Sequence, residues 1–340
     1  MYPLLRRLLF TLDPEVAHQL TLYALRIGGI EPFVSLLRSI YSVPQKPVQA
    51  FGLTFKNPVG LAAGYDKDAL AINGLSALGF GHLEIGTVTL KPQPGNPKPR
   101  VFRLLEDQAV INRMGFPSRG MAKVENRIKK IRKLNTIIGL NLGKNKDTPL
   151  EEAANDYLEL MKVFAPLADY LTINISSPNT VGLRRLQGRE MLEGLLGEIT
   201  NARVVGAEHT LTGTRVPPLL VKIAPDLSDE ELDDAIGVIL DKNMDGIIAT
   251  NTTLARDGLR SKQQRETGGL SGSPLTVKSE AVLSRVGKLV DGRIPIISAG
   301  GIMNPDDAKK RLALGASLVQ VYTGLVYRGP SLVREIVEAP

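Results

Sequence analysis

The stretch Tyr170-Leu-Thr-Ile-Asn-Ile-Ser-Ser-Pro-Asn-Thr180 decides the fold. It begins as an apolar, β-branched run suited to a buried strand. It ends in small hydrogen-bonding groups: Asn174, Ser176, Ser177, Asn179 and Thr180. Pro178 stops the ladder because it has no N–H to donate. A strand that delivers amides and hydroxyls at its C-terminal end, then turns, reads as the rim of a barrel whose mouth does chemistry. Taken alone, the run also fits an ordinary polar turn. Its grammar recurs along the chain, and that recurrence separates the two readings.

Seven more short apolar runs follow the same plan: Val59–Ala63, His82–Val88, Ile137–Leu142, Leu219–Ala224, Gly246–Thr250, Ile294–Ala299 and Leu318–Tyr322. Most are continuously apolar, as strands covered on both faces must be. Helical patterns lie between most of them. Thr148-Pro-Leu-Glu151 predicts a capping box that opens a helix through about residue 164. Ser228-Asp-Glu-Glu231 predicts a second, through about residue 241, and Asn304-Pro305 starts another. Eight strands alternating with helices define an α/β (β/α)₈ TIM barrel. An open doubly wound sheet is the rival, but no Gly-x-Gly-x-x-Gly follows an early strand. The proline-rich segment 89–108 reads as an excursion over the mouth, and the polar, Gly-rich segment 253–273 as a lid. Segment 206–218 reads as a plain surface connection.

Residues 1–41 stand apart as a small N-terminal helical extension, read as two short amphipathic helices with Asp13-Pro14-Glu15 as a start signal. Segment 42–52 reads as a linker and 53–340 as the barrel. The extension carries four Arg against three acids, and reads equally as helices packed on the barrel or as a surface that meets a membrane or apolar ligand.

Composition narrows the chemistry. The 340-residue chain has no Cys, which removes disulfides, thiolate nucleophiles and Cys-held zinc or iron–sulfur clusters. Three scattered His, at 18, 82 and 209, argue against a metal site or a His-based triad. The net charge is +7, but the basic residues are dispersed and aromatics are only 5%, so nucleic acid is not an expected partner. No apolar run reaches the roughly 18 residues of a membrane span. The N-terminus does not read as a signal peptide, since Arg6, Arg7 and Asp13 interrupt it.

The strand ends supply what remains. They carry Ala63-Gly-Tyr-Asp-Lys67, Thr87, Asn141, Asn174 to Asn179, Lys222, Thr250-Asn-Thr252, Gly300-Gly301 and Tyr322-Thr323-Gly324. Glycines after the last two strands expose backbone N–H groups that a phosphate can approach, although Ser298-Ala-Gly-Gly-Ile302 also reads as a plain tight turn. Lys222, inside an apolar strand, calls for an anionic partner or a shifted pKa. It reads as a Schiff-base amine, as a charge beside a reduced cofactor ring, or as half of a buried ion pair. Asn112, Asn174, Asn179 and Asn251 suit a flat polar heterocycle with imide and carboxylate edges.

These residues carry a resemblance. Ala62-Ala-Gly-Tyr-Asp-Lys67, Glu84-Ile-Gly-Thr-Val88, Ile111-Asn-Arg-Met-Gly-Phe116, Asn174-Ile-Ser-Ser-Pro-Asn-Thr180 and Val221-Lys-Ile-Ala-Pro-Asp-Leu227 resemble motifs of the dihydroorotate dehydrogenases. So do Ala249-Thr-Asn-Thr-Thr253, Thr267-Gly-Gly-Leu-Ser-Gly272 and Gly300-Gly301. The match is to the membrane-associated, quinone-reducing class and runs along the whole chain.

The resemblance implies a barrel that binds FMN through Ala63, Gly64, Tyr65, Asp66, Lys67, Thr87, Asn141, Asn174, Lys222, Thr250, Gly272, Gly301, Tyr322 and Thr323. It implies that dihydroorotate meets Lys67, Asn112, Arg113, Met114, Gly115, Phe116, Asn174, Asn179, Asn251 and Thr252. Ser177 matches the family's catalytic base, with Thr180 and Phe116 nearby. The soluble classes place Cys at that position, and one of them uses an iron–sulfur partner subunit, which is not expected here. The extension would admit a quinone past His18, Arg103 and Tyr322, and would hold the protein peripherally on the cytoplasmic side of the inner membrane. Three rivals stay open: another FMN barrel such as a dihydrouridine synthase, a Schiff-base aldolase using Lys222, and a non-catalytic membrane-surface adaptor using residues 1–41, which leaves the lined strand ends unexplained.

Overall fold

The computed structural model describes residues 2–131, 134–209 and 217–339. Eight parallel strands close into one barrel. In chain order they are β1 Val59–Leu61, β2 His82–Val88, β3 Ile137–Leu142, β4 Tyr170–Asn174, β5 Leu219–Ile223, β6 Gly246–Ala249, β7 Ile296–Ala299 and β8 Leu318–Val321. Each pairs with its neighbours in sequence, and β8 pairs with β1 through Val319↔Val59 and Val321↔Leu61. All eight expected strands are present. Their outward apolar residues pack under the surrounding helices, which is why the runs are continuous rather than alternating.

The helix starts show which local signals governed. Ser228 accepts from Glu231 N while Glu231 accepts from Ser228 N, and Asn304 and Asp307 make the same reciprocal pair. The Thr148 signal was misleading. Its helix is Ala153–Phe164, without a side-chain cap. Thr148 Oγ1 donates instead to Asp156 Oδ2 at 2.9 Å, and the same carboxylate oxygen accepts from Asn145 N at 2.7 Å. An acid inside the first turn has taken the hydroxyl that would have capped.

The extension forms three helices where two were expected: α1 Tyr2–Thr11, α2 Pro14–Gly28 and α3 Phe33–Ile40. Asp13 starts α2 by accepting from Glu15 N and Val16 N. Gly29 and Pro32 lie between α2 and α3 and break the periodicity.

Segment 42–52 is only partly a linker. Val48–Ala50 pairs antiparallel with Leu53–Phe55, and the turn residues Phe51 and Gly52 both have positive φ. This hairpin packs Phe51 and Phe55 among Tyr170, Leu220, Ile248 and Ile297 and so plugs the barrel interior. Gly246 is needed there, since a Cβ would lie 2.2 Å from the Phe51 ring.

The two long excursions share a structure. Val101–Leu104, Ala109–Asn112 and Gly269–Gly272 form one three-stranded antiparallel sheet, so the proline-rich segment and the lid segment are tied together beside the mouth. The helix Arg189–His209 runs into the segment expected as a plain connection, whose residues 210–216 lie outside the described residues.

Phe51→Ala should destabilise the protein by about 3 kcal/mol, since it deletes a buried ring from the plug. The urea midpoint measures this; an unchanged midpoint would mean that the hairpin does not brace the barrel.

Candidate active site

The site is built upward from a charge pair on the barrel axis. Glu84 on β2 is fully buried, and Lys222 on β5 is 5% exposed. Lys222 Nζ lies 3.4 Å from Glu84 Oε1. Asn141 Nδ2 donates to the same oxygen at 2.7 Å, and Gln320 Nε2 donates to Glu84 Oε2 at 2.7 Å. Strands β2, β3, β5 and β8 therefore meet at one carboxylate. The sequence called for an anionic partner for Lys222, and this is it.

Amides and hydroxyls continue the network toward the mouth. Asn141 Oδ1 accepts from Thr87 Oγ1 at 2.6 Å and from Asn174 Nδ2 at 2.9 Å. Asn251 Nδ2 donates to Ser176 Oγ at 3.0 Å. Asn179 Nδ2 donates to Asn112 Oδ1 at 3.1 Å. Ser177, 5% exposed, accepts at Oγ from Asn179 N at 3.3 Å. That contact uses a lone pair and leaves the hydroxyl proton free to turn. Thr180 Oγ1 is buried without a partner.

Arg184 and Asp226 lock the loops around this group. Arg184 donates to Ser176 O at 3.0 Å, to Thr252 O at 2.7 Å and to Asp226 at 2.8 Å. Asp226 also accepts from Thr253 Oγ1, from Leu254 N at 3.0 Å and from Lys278 at 2.7 Å. One ion pair thus ties together the loops after β4, β5 and β6.

After β7, Gly300 and Gly301 turn with φ of +98° and +73°. Buried Arg311 fixes this turn by donating to Gly300 O at 3.2 Å and to Thr276 O at 2.9 Å. After β8 the helix Thr323–Arg328 begins without a side-chain cap, so its first amides have no acceptor within the helix. These two turns lie side by side on the cavity wall.

That cavity has a volume of about 820 Å³. Most of the expected site residues line it: Ala63, Gly64, Tyr65, Lys67, Thr87, Asn112, Met114, Gly115, Phe116, Asn174, Ser177, Asn179, Lys222, Thr250, Asn251, Thr252, Gly272, Gly301, Tyr322 and Thr323. Three do not. The Asp66 carboxylate turns away to accept from Leu70 N at 2.8 Å and Ala71 N at 2.7 Å, so it shapes the turn after β1. Arg113 pairs with Glu266 at 2.6 Å and lies over the Phe102 ring, outside the cavity. Asn141 sits one row deeper and reaches the cavity through Thr87 and Asn174. Glu84, Gln320, Arg184, Asp226 and Arg311 also build the site, and none of them is among the residues expected there. Glu84 carried a readable signal, a lone acid in an apolar strand.

The cavity has a second, apolar end. Leu5, Leu9, Ala17, Leu25, Phe33 and Leu37 of α1–α3 line it, together with His18 and Arg103. Burial holds the His18 pKa down at about 4, with the Lys67 charge adding to the effect. Burial likewise lowers the Lys67 pKa from 10.5 to about 8, against the pull of Asp68 and Glu15. Lys67 is therefore charged at neutral pH and loses its charge as pH rises through about 8. Burial pushes the Tyr322 phenol up to about 12.

A polar, partly cationic end with glycine turns suits a flat anionic cofactor and a small carboxylate. Gln320 Oε1 is buried without a partner although Gln320 lines the cavity, so an acceptor there awaits a donor.

Comparison with known proteins agrees with this geometry. The family model for dihydroorotate dehydrogenase matches residues 47–339. "Dihydroorotate dehydrogenase (quinone)" of Escherichia coli O1:K1 / APEC is 49% identical over 337 residues, 99% of this chain and 98% of that protein. The protein of the same name from Escherichia coli strain SMS-3-5 / SECEC is 49% identical over 338 residues, with the same coverage. The crystal structure of DHODH from Eimeria tenella in complex with ferulenol is similar with a TM-score of 0.87 at 42% identity, over 96% of this chain and 90% of that one. Its ligand-free form gives 0.82 at 43% identity, over 96% and 93%.

Glu84→Gln should destabilise the protein by about 3 kcal/mol or more, because it strands the Lys222 charge. The double variant Glu84→Gln/Lys222→Met should recover part of that loss. Denaturant midpoints of the four proteins test the coupling; additive effects would mean the pair does not interact.

Proposed function

We propose a function from the premise that this chain belongs to the dihydroorotate dehydrogenase family, as its match over residues 47–339 shows. It oxidises dihydroorotate to orotate, a step of pyrimidine biosynthesis, with a quinone as the terminal electron acceptor. One observation carries the reading. Ser177, Lys67, Lys222 and the amides of Asn112, Asn174, Asn179 and Asn251 line one cavity, and that cavity continues into an apolar space under α1–α3.

The family uses a flavin, and we assign it as FMN. The glycine turn at Gly300-Gly301 and the helix start at Thr323 fit a single phosphate. Lys222, Thr250, Asn174, Thr87 and the orphaned Gln320 Oε1 fit the ring edges. When bound, the flavin supplies the hydride acceptor for C6 of the substrate.

The remaining work falls to side chains. Ser177 Oγ takes the proton from C5. A serine hydroxyl is a weak base, so it needs a next acceptor and stabilisation of the developing enolate. Thr180, with its unpartnered Oγ1, and Phe116, on the cavity wall, are the groups to which we assign the proton's exit. Asn112, Asn179, Asn251 and Thr252 hold the pyrimidine edge. Lys67 offsets the substrate carboxylate. Arg184 and Asp226 keep these loops in register. The commitment of Lys222 to Glu84 favours a charge-stabilising role over a Schiff-base amine.

Quinone would enter under α1–α3, past His18, Arg103 and Tyr322. These helices leave Leu4 71% and Leu8 65% exposed, with Ile27 and Leu36 also open. Such a face is matched to lipid. Among the described residues no single helix is long and apolar enough to cross a membrane. From that exposed apolar face and the resemblance to the quinone-reducing class we assign a peripheral position on the cytoplasmic side of the inner membrane, with neither nucleic acid nor an iron–sulfur subunit as partner.

Ser177→Ala should retain flavin but slow its reduction by dihydroorotate roughly 10²–10⁴-fold. Anaerobic stopped-flow absorbance measures this; a rate near that of the parent protein would remove Ser177 from the proton step.

A further inference from the structure

Tyr65 stands where the apolar end of the cavity meets the barrel mouth. Its ring sits edge-on between two others. His18 of α2 lies 4.9 Å away between centroids, and Tyr322, after β8, lies 5.7 Å away. The row His18–Tyr65–Tyr322 leads from the helical extension to the barrel. Tyr65 is only 6% exposed, so its ring is withdrawn from bulk water.

The neighbouring phenols all have acceptors. Tyr2 OH donates to Val326 O at 2.6 Å, and Tyr327 OH donates to Ala109 O at 3.0 Å. Tyr322 OH makes a long contact of 3.4 Å to Gly64 O. Tyr65 borders the cavity, and its hydroxyl, open to that space, has no hydrogen-bond partner among the described residues. Buried phenols usually find a partner, so a donor left open at a ligand cavity points to the ligand. The other donors here are already engaged. Two nitrogens of Arg103 are engaged by Leu9 O and Leu12 O. His18, with a pKa of about 4, is uncharged at neutral pH.

The geometry points to Tyr65 as a hydrogen-bond donor to a carbonyl oxygen of the quinone head group, fixing how deeply the quinone sits against the barrel mouth. A quinone oxygen only accepts and a protonated phenol readily donates, so the two match. The assignment rests on the quinone reading proposed above.

The test is calorimetric titration of the flavin-loaded protein with decylubiquinone. Tyr65→Phe, which removes the hydroxyl alone, should weaken binding roughly three- to tenfold. The infrared carbonyl stretch of bound quinone should lie below that of free quinone in the parent protein and move up in the variant. Tyr65→Leu should bind no better than Tyr65→Phe. Equal affinity of Tyr65→Phe and parent, with loss only in Tyr65→Leu, would reduce Tyr65 to ring packing and overturn the assignment. A carbonyl stretch in the parent protein that matches free quinone would overturn it without any variant. Failure of the parent to bind decylubiquinone at all would instead contradict the quinone reading itself.

Discussion

The Glu84–Lys222 pair is the constraint on which the rest of the structure depends. A carboxylate with no solvent exposure inside a barrel is tolerable only when its lone pairs are filled and its charge is balanced. Lys222, Asn141 and Gln320 do that from three other strands. The same bonds aim Lys222 and Asn141 upward, and Asn141 in turn orients Asn174 and Thr87. The polarity of the mouth is thus anchored in the barrel interior rather than in its loops. Below the pair, the plug of Phe51, Phe55 and Tyr170 keeps the interior packed.

The loops are fixed by a second device of the same kind. Arg184 reaches Ser176 O and Thr252 O while paired with Asp226, which holds Thr253 and Leu254. In the proposed mechanism this sets the distance between the proton acceptor on one loop and the substrate amides on another. Small errors in such distances are costly, so a rigid tie between loops is expected where a weak base must work. In the same proposal the apolar space under α1–α3 serves the second half of the reaction, and Tyr65 and Tyr322 line the wall it shares with the first.

Much of this was legible in the sequence because it rests on local patterns. Short apolar runs, most of them continuous, marked all eight strands, and reciprocal capping at Ser228 and Asn304 marked two helix starts. The run from Asn174 to Asn179 marked the mouth. The failures came where a tertiary partner overrode a local signal. Asp156 captured Thr148, and Glu266 drew Arg113 out of the site. Asp66 is acidic in a ligand-binding motif, yet it serves two backbone amides. No local rule reveals Arg184 or Arg311, whose acceptors are backbone carbonyls distant in sequence. Glu84 was readable as an oddity, but only the closed barrel shows that its partner is Lys222.

In the proposed function one cavity joins a dihydroorotate site to a quinone site through a flavin. Anaerobic titration of the purified protein, followed by its visible absorbance, tests this most directly. The protein should be yellow, bleach with one equivalent of dihydroorotate per flavin and recover its colour with one equivalent of decylubiquinone. A colourless protein, or a yellow one that dihydroorotate leaves unbleached, would contradict it.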